Sequence, residues 1–502
     1  MSTHDGCGDD NSSVQQVRDT PVTPSNSTRV LVHETTVEPI NDRDISMLHM
    51  IGYGIGHFYN DLCASMWFTY LMLFFEKVLN FKSSLAGALM LIGQVTDAVS
   101  TPLVGMASDG SLMPSFLLRF GRRISWHAIG TICVSISFPF IFNKCFACCS
   151  TTSEGWRLVW FLPFIMLFQF GWASVQISHL ALIPELSGTQ RCRSIMGSIR
   201  YSFTVVANLS VFGLLAIFLN SGTQRGISSA DLVHFRNSAL IVIGAGLFTS
   251  FIFYLTTREP QSGRRMSRLN SITSEASIMM KMSWRNWFRY LQFYEIAILY
   301  MLSRLYINVS QVYFPFYITL AQNYPKQYVA ILPIVSYTSS FIVSSIISAP
   351  SIVARINRKA LYMTGCAVGL GNCAWMFFPL HSGSIYVVAI LLGIAQAILL
   401  VTSLAITADL INMNTESGAF VYGTMSFLDK LANGLAYQII QLLAPDCDLN
   451  ASGSCEQFYR KVMVFVPGGC LVLAVIICVT LIPQKIGKRS KHHRHSIHHC
   501  GL

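Results

Sequence analysis

The chain has 502 residues, of which 52% are hydrophobic and only 12% are charged, whereas a typical soluble domain has about 25% charged residues. This composition excludes an ordinary water-exposed globular fold. The formal net charge of +11 is spread over many short polar segments. They form no continuous phosphate-tracking surface, so no nucleic acid is expected as a partner.

The apolar residues are gathered in runs that suit membrane helices, each of which needs about 20 residues to cross a bilayer. The pattern predicts an all-α membrane protein with twelve transmembrane helices. The expected spans, in chain order, are residues 50–75, 84–107, 124–143, 158–184, 194–220, 237–256, 291–319, 329–351, 360–380, 385–410, 418–444 and 460–483.

A long polar connection separates the first six spans from the last six. The expected domains are a disordered cytosolic tail at 1–45, a six-helix bundle at 46–256, a cytosolic linker at 257–290, a second six-helix bundle at 291–483 and a basic cytosolic tail at 484–502. Lys and Arg set the expected orientation, because about 20 of them fall on the side of both tails and about 9 on the other side. Both termini are therefore predicted to face the cytosol, close to lipid headgroups.

Ionisable side chains in the first two spans are the first candidates for function. An ionised group at the bilayer midplane costs about 2.5 to 3.5 kcal/mol, so each needs a partner or a watery cavity. His57 and Asp61 share a helix face in span 1, with Asn60 beside them, and Gln94, Asp97 and Thr101 share a face in span 2.

A basic turn follows the second span and is predicted to act in gating. It runs from Gly105 and Asp109 to Gly121, Arg122 and Arg123, with an insertion between its two parts. The second half of the chain carries an equivalent turn with Arg355, Arg358 and Lys359.

Two loops on the side opposite the tails carry cysteines outside the apolar runs. Cys145, Cys148 and Cys149 lie in one, and Cys447 and Cys455 in the other. Disulfides persist on the non-cytosolic side of a membrane, so these are disulfide candidates. The second loop also holds Asn450 in an Asn-Ala-Ser sequon, a candidate for glycosylation.

The later spans add cations and amides. Gln176 and His179 lie in span 4, Arg200 in span 5, and Arg304 and Asn308 in span 7; span 11 carries Asp429 next to Lys430, which a helix turns about 100° apart. Two interpretations stay open for these groups: static pairs that hold helices together, and groups that bind a substrate or a coupling ion. The sequence shows no catalytic constellation, metal-ligand spacing or nucleotide loop, so we expect no enzyme, no metal and no cofactor.

Several long strings resemble the glycoside-pentoside-hexuronide:cation symporter-like branch of the major facilitator superfamily, and within it a group of organellar carriers. They are GHFYNDLCASMWFTYLMLFF in span 1, GQVTDAVSTPLVG in span 2, PFIMLFQFGWASVQISHLALIPEL in span 4, RYSFTVVAN in span 5, LVTSLAITADLI in span 10 and SGAFVYGTMSFLDKLANGLA in span 11. The resemblance implies two six-helix bundles that rock around a substrate site near the midplane.

The resemblance also implies a cargo and a location. The organellar carriers import cysteine from the cytosol into lysosomes and pigment organelles. In the wider branch, Asp61, Arg200 and Lys430 match substrate and cation residues, whereas Thr101 replaces the second carboxylate of a cation pair that begins at Asp97. A proton, another cation or no ion then couples transport. A sugar symporter and a non-transporting scaffold remain the alternatives.

The predicted orientation can be tested at Asn450. If its loop faces the lumen, the protein carries a glycan there, and N450Q removes a glycosidase-sensitive change in gel mobility. Labelling of the same loop from the cytosolic side would contradict both the orientation and the placement of the tails.

Overall fold

A computed structural model describes most of the chain between residues 46 and 487. The gaps within that range are 110–116, 118, 150, 188–189, 221–225, 260–283, 350–351, 353–356, 381–382, 412–417 and 446–451. The tails, most of the linker, Arg355, Cys447 and Asn450 lie outside the described residues, as does the side chain of Asp109.

The described residues of the first half form seven α-helices in six membrane-length segments, the first of which is broken. They are α1 (Met47–Ile55), α2 (Phe58–Leu73), α3 (Ser83–Asp109), α4 (Arg122–Ile141), α5 (Glu154–Leu186), α6 (Gln190–Asn220) and α7 (Leu232–Thr256). A short 3-10 helix, Ser229–Asp231, precedes α7.

The second half follows with six segments. They are α8 (Leu291–Phe316), α9 (Tyr328–Ile347), α10 (Arg358–Met376), α11 (Ser384–Ile411), α12 (Gly418–Leu442) and α13 (Ser452–Leu481). The all-α prediction is confirmed across the described residues, which contain no strand. The last segment begins eight residues before the expected position, because Ser452 to Tyr459 continue the helix despite their polarity.

The interface between the two halves consists of helix pairs, each with one helix from the first half and one from the second. The helices α3 and α12 pack most extensively, followed by α6 with α9 and α2 with α8. We call the end of the bundle where α1 begins and α13 ends the terminal end, and the opposite end the far end.

Apolar side chains cover the outside of the bundle, as expected for a multi-pass membrane protein. Ile217 and Phe248 are 72% and 66% exposed. Eight helices are long and apolar enough to cross a membrane within the described part of the chain. The remaining segments, α2, α8, α10 and α12, are shorter or more polar, and three of them carry the charged residues Asp61, Arg304, Asp429 and Lys430, of which the two carboxylates are buried.

The first segment breaks at Gly56 and His57, where the sequence predicted one continuous helix. Three glycines allow close packing around the break: a Cβ on Gly56 would lie 2.5 Å from the Phe253 ring, and one on Gly52 would lie 2.4 Å from Thr256. Imidazoles bind carbonyls at the break, since His127 Nε2 lies 3.0 Å from Gly56 O and His179 Nε2 lies 2.8 Å from Tyr53 O. The break places His57 directly before α2.

The halves share a repeated feature at the far end. The α2 helix continues into a π-helical turn, Phe74–Val78, and α8 into another, Tyr317–Ala321. Each turn is followed by an asparagine with positive φ, 53° at Asn80 and 54° at Asn323, a conformation that asparagine tolerates better than most residues. Asp61 and Arg304 precede their turns by the same number of residues. The two residues are therefore structural counterparts of opposite charge.

The broken segment makes a specific prediction about stability. G56A should lower the free energy of unfolding by about 1 to 3 kcal/mol, because the added methyl group meets the Phe253 ring. The matched control G244A adds its methyl group to open space on α7 and should leave stability unchanged or raise it by up to about 1 kcal/mol. Thermal unfolding in detergent measures both, and equal effects at the two sites would contradict the packing.

Candidate functional site

A cluster in the first half joins α2 to α6. The Nδ1 atom of His57 lies 3.0 Å from Asp61 Oδ2, and Thr204 donates its hydroxyl to the same oxygen at 2.7 Å. The guanidinium of Arg200 lies 3.0 Å from His57 Nε2, and the Asn60 amide nitrogen lies 3.5 Å from it. The predicted residues His57, Asn60, Asp61 and Arg200 thus form one connected group near the middle of the bundle.

A second group crosses between the halves. The Lys430 ammonium on α12 donates to Asp97 Oδ1 and Thr101 Oγ1 on α3, each at 2.7 Å. Thr101 donates in turn to Asp97, and the indole ring of Trp172 lies 5.6 Å from the ammonium. Because the Lys430 ammonium binds both Asp97 and Thr101, the Asp97 carboxylate is neutralised by a charge of the protein itself.

A third group lies within the second half, between α8 and α12. Arg304 donates from Nε to Asp429 Oδ2 at 3.1 Å, and the amides of Asn308 and Asn433 donate to Asp429 Oδ1 at 3.5 and 2.6 Å. The neighbouring residues Asp429 and Lys430 therefore serve different helices, as their angular separation predicted. The Arg304 side chain is 28% exposed, so part of its guanidinium is accessible.

Tyr337 on α9 connects the first and third groups across the interface between the halves. Its hydroxyl is close enough to Asp61 and to Arg304 to interact electrostatically with both. Asp61 from one half and Arg304 from the other therefore both lie within electrostatic range of this tyrosine.

The remaining predicted span residues do not take part in these charge contacts. Gln94 is buried against Gly434 of α12, and its side-chain nitrogen has no partner among the described residues. Gln176 is partly buried on α5. His179 is fully buried and binds the carbonyl of Tyr53. Its contact holds the broken first segment.

Polar side-chain contacts join the two halves at the far end. Gln311 donates to Thr69 at 3.0 Å, and Lys326 pairs with Asp231 at 2.6 Å with both side chains buried. Glu76 in the first π-helical turn accepts from Tyr459 at 3.0 Å and from Gln441 at 3.1 Å. On the terminal side of the site, the contact between Tyr201 and Ser344 at 2.9 Å joins the halves. The described contacts between halves are thus concentrated at the far end.

The predicted gating turn forms a network within the first half. Gly121 has φ of 106°, which favours glycine, and a Cβ there would lie 2.5 Å from the Glu259 carboxylate. That carboxylate accepts from the backbone nitrogen of Arg123 at 2.7 Å and so caps the start of α4. Arg123 and Arg122 also pair with Glu185 at 3.3 and 3.8 Å, whereas Gly105 faces open space.

The cysteine loops are only partly described. Cys145 and Cys148 form a disulfide, and Cys149 is an exposed free thiol. Cys455 is disulfide-bonded, and Cys447, the other candidate in its loop, lies outside the described residues.

Sequence reasoning missed several residues that the structure places at important contacts. Glu185 and Glu259 follow the ends of apolar spans, and an acid beside the basic turn was a usable signal. His127 was overlooked although it is fully buried. Asp231 and Lys326 lie between the predicted spans, where nothing in the sequence marks a buried pair.

Comparisons with known proteins assign the chain to a family. The MFS/sugar transport protein family matches residues 52–485. The chain belongs to this family of the major facilitator superfamily. A relative from Homo sapiens, "Major facilitator superfamily domain-containing protein 12", is 42% identical over 459 residues, which cover 88% of this chain and 94% of the relative. The "Glucuronide carrier protein homolog" of Escherichia coli is 22% identical over 423 residues, 83% of this chain and 84% of the relative.

Solved structures confirm the facilitator fold. A D-xylose-proton symporter superposes with a TM-score of 0.62 at 14% identity, covering 88% of this chain and 98% of that one. The family and the fold together establish a transporter. They leave its cargo to be argued from the site.

The pair between the halves yields a stability prediction. K430M leaves the buried Asp97 carboxylate without its cation and should cost about 3 to 5 kcal/mol, whereas D97N/K430M should recover most of that loss. The control E456Q removes a 49% exposed acid that pairs with Arg460 on the same helix and should cost less than about 1 kcal/mol. Thermal unfolding decides, and a double variant no more stable than K430M would contradict the pairing.

Proposed function

We propose that the protein is an alternating-access carrier that moves cysteine from the cytosol into the lumen of lysosomes and pigment organelles. In this proposal the terminal end faces the cytosol and the far end faces the lumen. The observation that carries it is that an acid of the first half, Asp61, and a base of the second half, Arg304, both lie within electrostatic range of Tyr337.

The charges suit a zwitterion. A guanidinium binds a carboxylate through two parallel hydrogen bonds, and only the Nε of Arg304 is used by Asp429 in the described contacts. Thr204 donates to Asp61 Oδ2, and His57 Nδ1 lies 3.0 Å from the same oxygen. The amino acid's carboxylate then binds Arg304 and its ammonium binds Asp61. A solute held by both halves would couple binding to their relative motion.

A small, uncharged side chain completes the cargo. A thiol with a reference pKa of about 8.5 stays mostly neutral in the cytosol and more so in an acidic lumen. Cysteine meets this condition. The choice of cysteine among small neutral amino acids comes from the resemblance of the span sequences to organellar cysteine carriers.

The proposal also addresses the coupling ion. Relatives named as symporters support cation coupling in the family. The Lys430 ammonium already neutralises Asp97 and contacts Thr101, so a bound sodium ion has no free carboxylate there. We therefore propose a proton, or no ion, in place of sodium.

A sugar is the second candidate cargo. Relatives include an "Isoprimeverose transporter" of Lactiplantibacillus pentosus, 25% identical over 240 residues, and the partly buried indole of Trp172 next to Lys430 could pack against a sugar ring. Two analogues of cysteine help to distinguish the candidate cargoes. Cysteamine lacks the carboxylate of cysteine, and N-acetylcysteine lacks its ammonium group. A zwitterion site binds neither of them well, whereas a sugar site would favour a glucuronide over cysteine.

Transport assays test the proposal directly. Organelles containing the protein should take up labelled, reduced cysteine faster than organelles lacking it. In proteoliposomes, D61N and R304Q should each raise the KM by about 10- to 100-fold, because each removes a charged hydrogen-bond partner worth about 1.5 to 3 kcal/mol. The control R289Q changes an exposed arginine outside the site and should behave as wild type.

Three results would refute parts of this assignment. Equal organellar uptake with and without the protein would remove cysteine import. Competition by a glucuronide but not by cysteine would establish the sugar alternative. Wild-type flux in both D61N and R304Q would remove the site, and a scaffold role would then gain support.

A further inference from the structure

The imidazole of His57 lies between a carboxylate and a guanidinium. Its Nδ1 meets Asp61 Oδ2 and its Nε2 meets the Arg200 guanidinium, each at 3.0 Å. The side chain is 3% exposed, so solvent does not replace either contact. An imidazole held between opposite charges has a protonation state fixed by its neighbours.

The two contacts define that state. The guanidinium of Arg200 can only donate hydrogen bonds. The same holds for the amide nitrogen of Asn60, which lies 3.5 Å from Nε2. Nε2 is therefore an acceptor without a proton, and the proton of the neutral ring lies on Nδ1, 3.0 Å from Asp61 Oδ2. His57 is thus neutral in this conformation. Protonation of Nε2 and donation by Arg200 exclude each other, because both use the same lone pair.

We propose that His57 is a proton-operated release switch for the ammonium group of the cargo. The proposal rests on the proposed function, in which that ammonium binds Asp61. A proton from the acidic side adds to the lone pair of Nε2, no covalent bond breaks, and the Arg200 guanidinium moves away from the new positive charge. The resulting imidazolium neutralises Asp61, and the cargo loses its counter-charge.

The surroundings single out His57 among three buried histidines. The titratable and charged groups that face it from the described elements are Asp61 on α2, Arg200 on α6, His179 on α5, His127 on α4, Tyr53 on α1 and, through His127, Tyr254 on α7. His179 and His127 each place Nε2 on a backbone carbonyl, and neither contacts a carboxylate. Among these three histidines, only His57 lies beside a carboxylate, so only its protonation changes the charge next to Asp61.

The switch has a definite sign. Proton and cargo ammonium compete for the same carboxylate, so the affinity for cargo falls as the pH falls. One competing proton changes the affinity by at most about tenfold per pH unit. A carrier built in this way binds at neutral pH and releases into an acidic compartment, which is the direction of transport proposed above.

Binding measurements on the full-length protein in nanodiscs test the sign. Between about pH 7.5 and about pH 4.5, the wild-type affinity for reduced cysteine should fall, by no more than about tenfold per pH unit. H57Q should have the same affinity for cysteine at both pH values, whereas the control H127Q should keep the wild-type dependence. A wild-type affinity that is constant or rises on acidification, or an H57Q variant with the wild-type dependence, would overturn the proposal.

A second measurement needs no cargo and separates this inference from the proposed function. In nitrogen NMR of histidine-labelled protein, with the signal assigned through H57Q, His57 should be neutral with its proton on Nδ1 at about pH 7.5. At equal acidic pH, R200Q should contain more imidazolium than wild type. A proton on Nε2, or equal imidazolium in both proteins, would refute the switch. Absence of zwitterion binding alongside the expected NMR result would instead refute the proposed cargo.

Discussion

Charge compensation inside an apolar bundle is the constraint on which the rest of this structure depends. An ionised side chain in the membrane interior costs several kcal/mol unless it has a partner. The mid-bundle charges accordingly occur in contact: Asp61 with His57 and Thr204, Asp97 with Lys430, and Asp429 with Arg304. These pairs fix which helices pack together. They also fix where a polar solute can replace a contact without leaving a charge alone.

The two halves contain corresponding charge contacts. Within each half, an acid and a base connect the first segment to the fifth, with Asp61 near Arg200 through His57 and Arg304 bonded to Asp429. The order of charges is reversed between the halves, because Asp61 and Arg304 are counterparts in the repeated segments. The pseudo-symmetric fold therefore has an acid at this position in one half and a base at the same position in the other.

The polar contacts between the halves form a gradient along the bundle. Buried links such as Asp231 with Lys326 and Glu76 with Tyr459 hold the far end together. The networks at the terminal end, including Arg123 with Glu185 and Arg358 with Asp409, lie within one half or the other. A rocking motion around the central site therefore requires the far-end contacts to break, while the terminal-end networks can move as rigid units.

The sequence by itself determined the class of protein, the approximate position of nearly every segment and the identity of the ionisable residues near the midplane. Hydrophobic run length and charge rarity are local properties, so they can be read without coordinates. The partners could not be read in this way: Asp97 is 333 positions from Lys430, and Asp429 turns to Arg304 while its neighbour turns to α3. Pairing depends on which helix faces meet, and only packing decides this. The break before His57, the π-helical turns and the direction of the His57 proton likewise follow from contacts between distant helices.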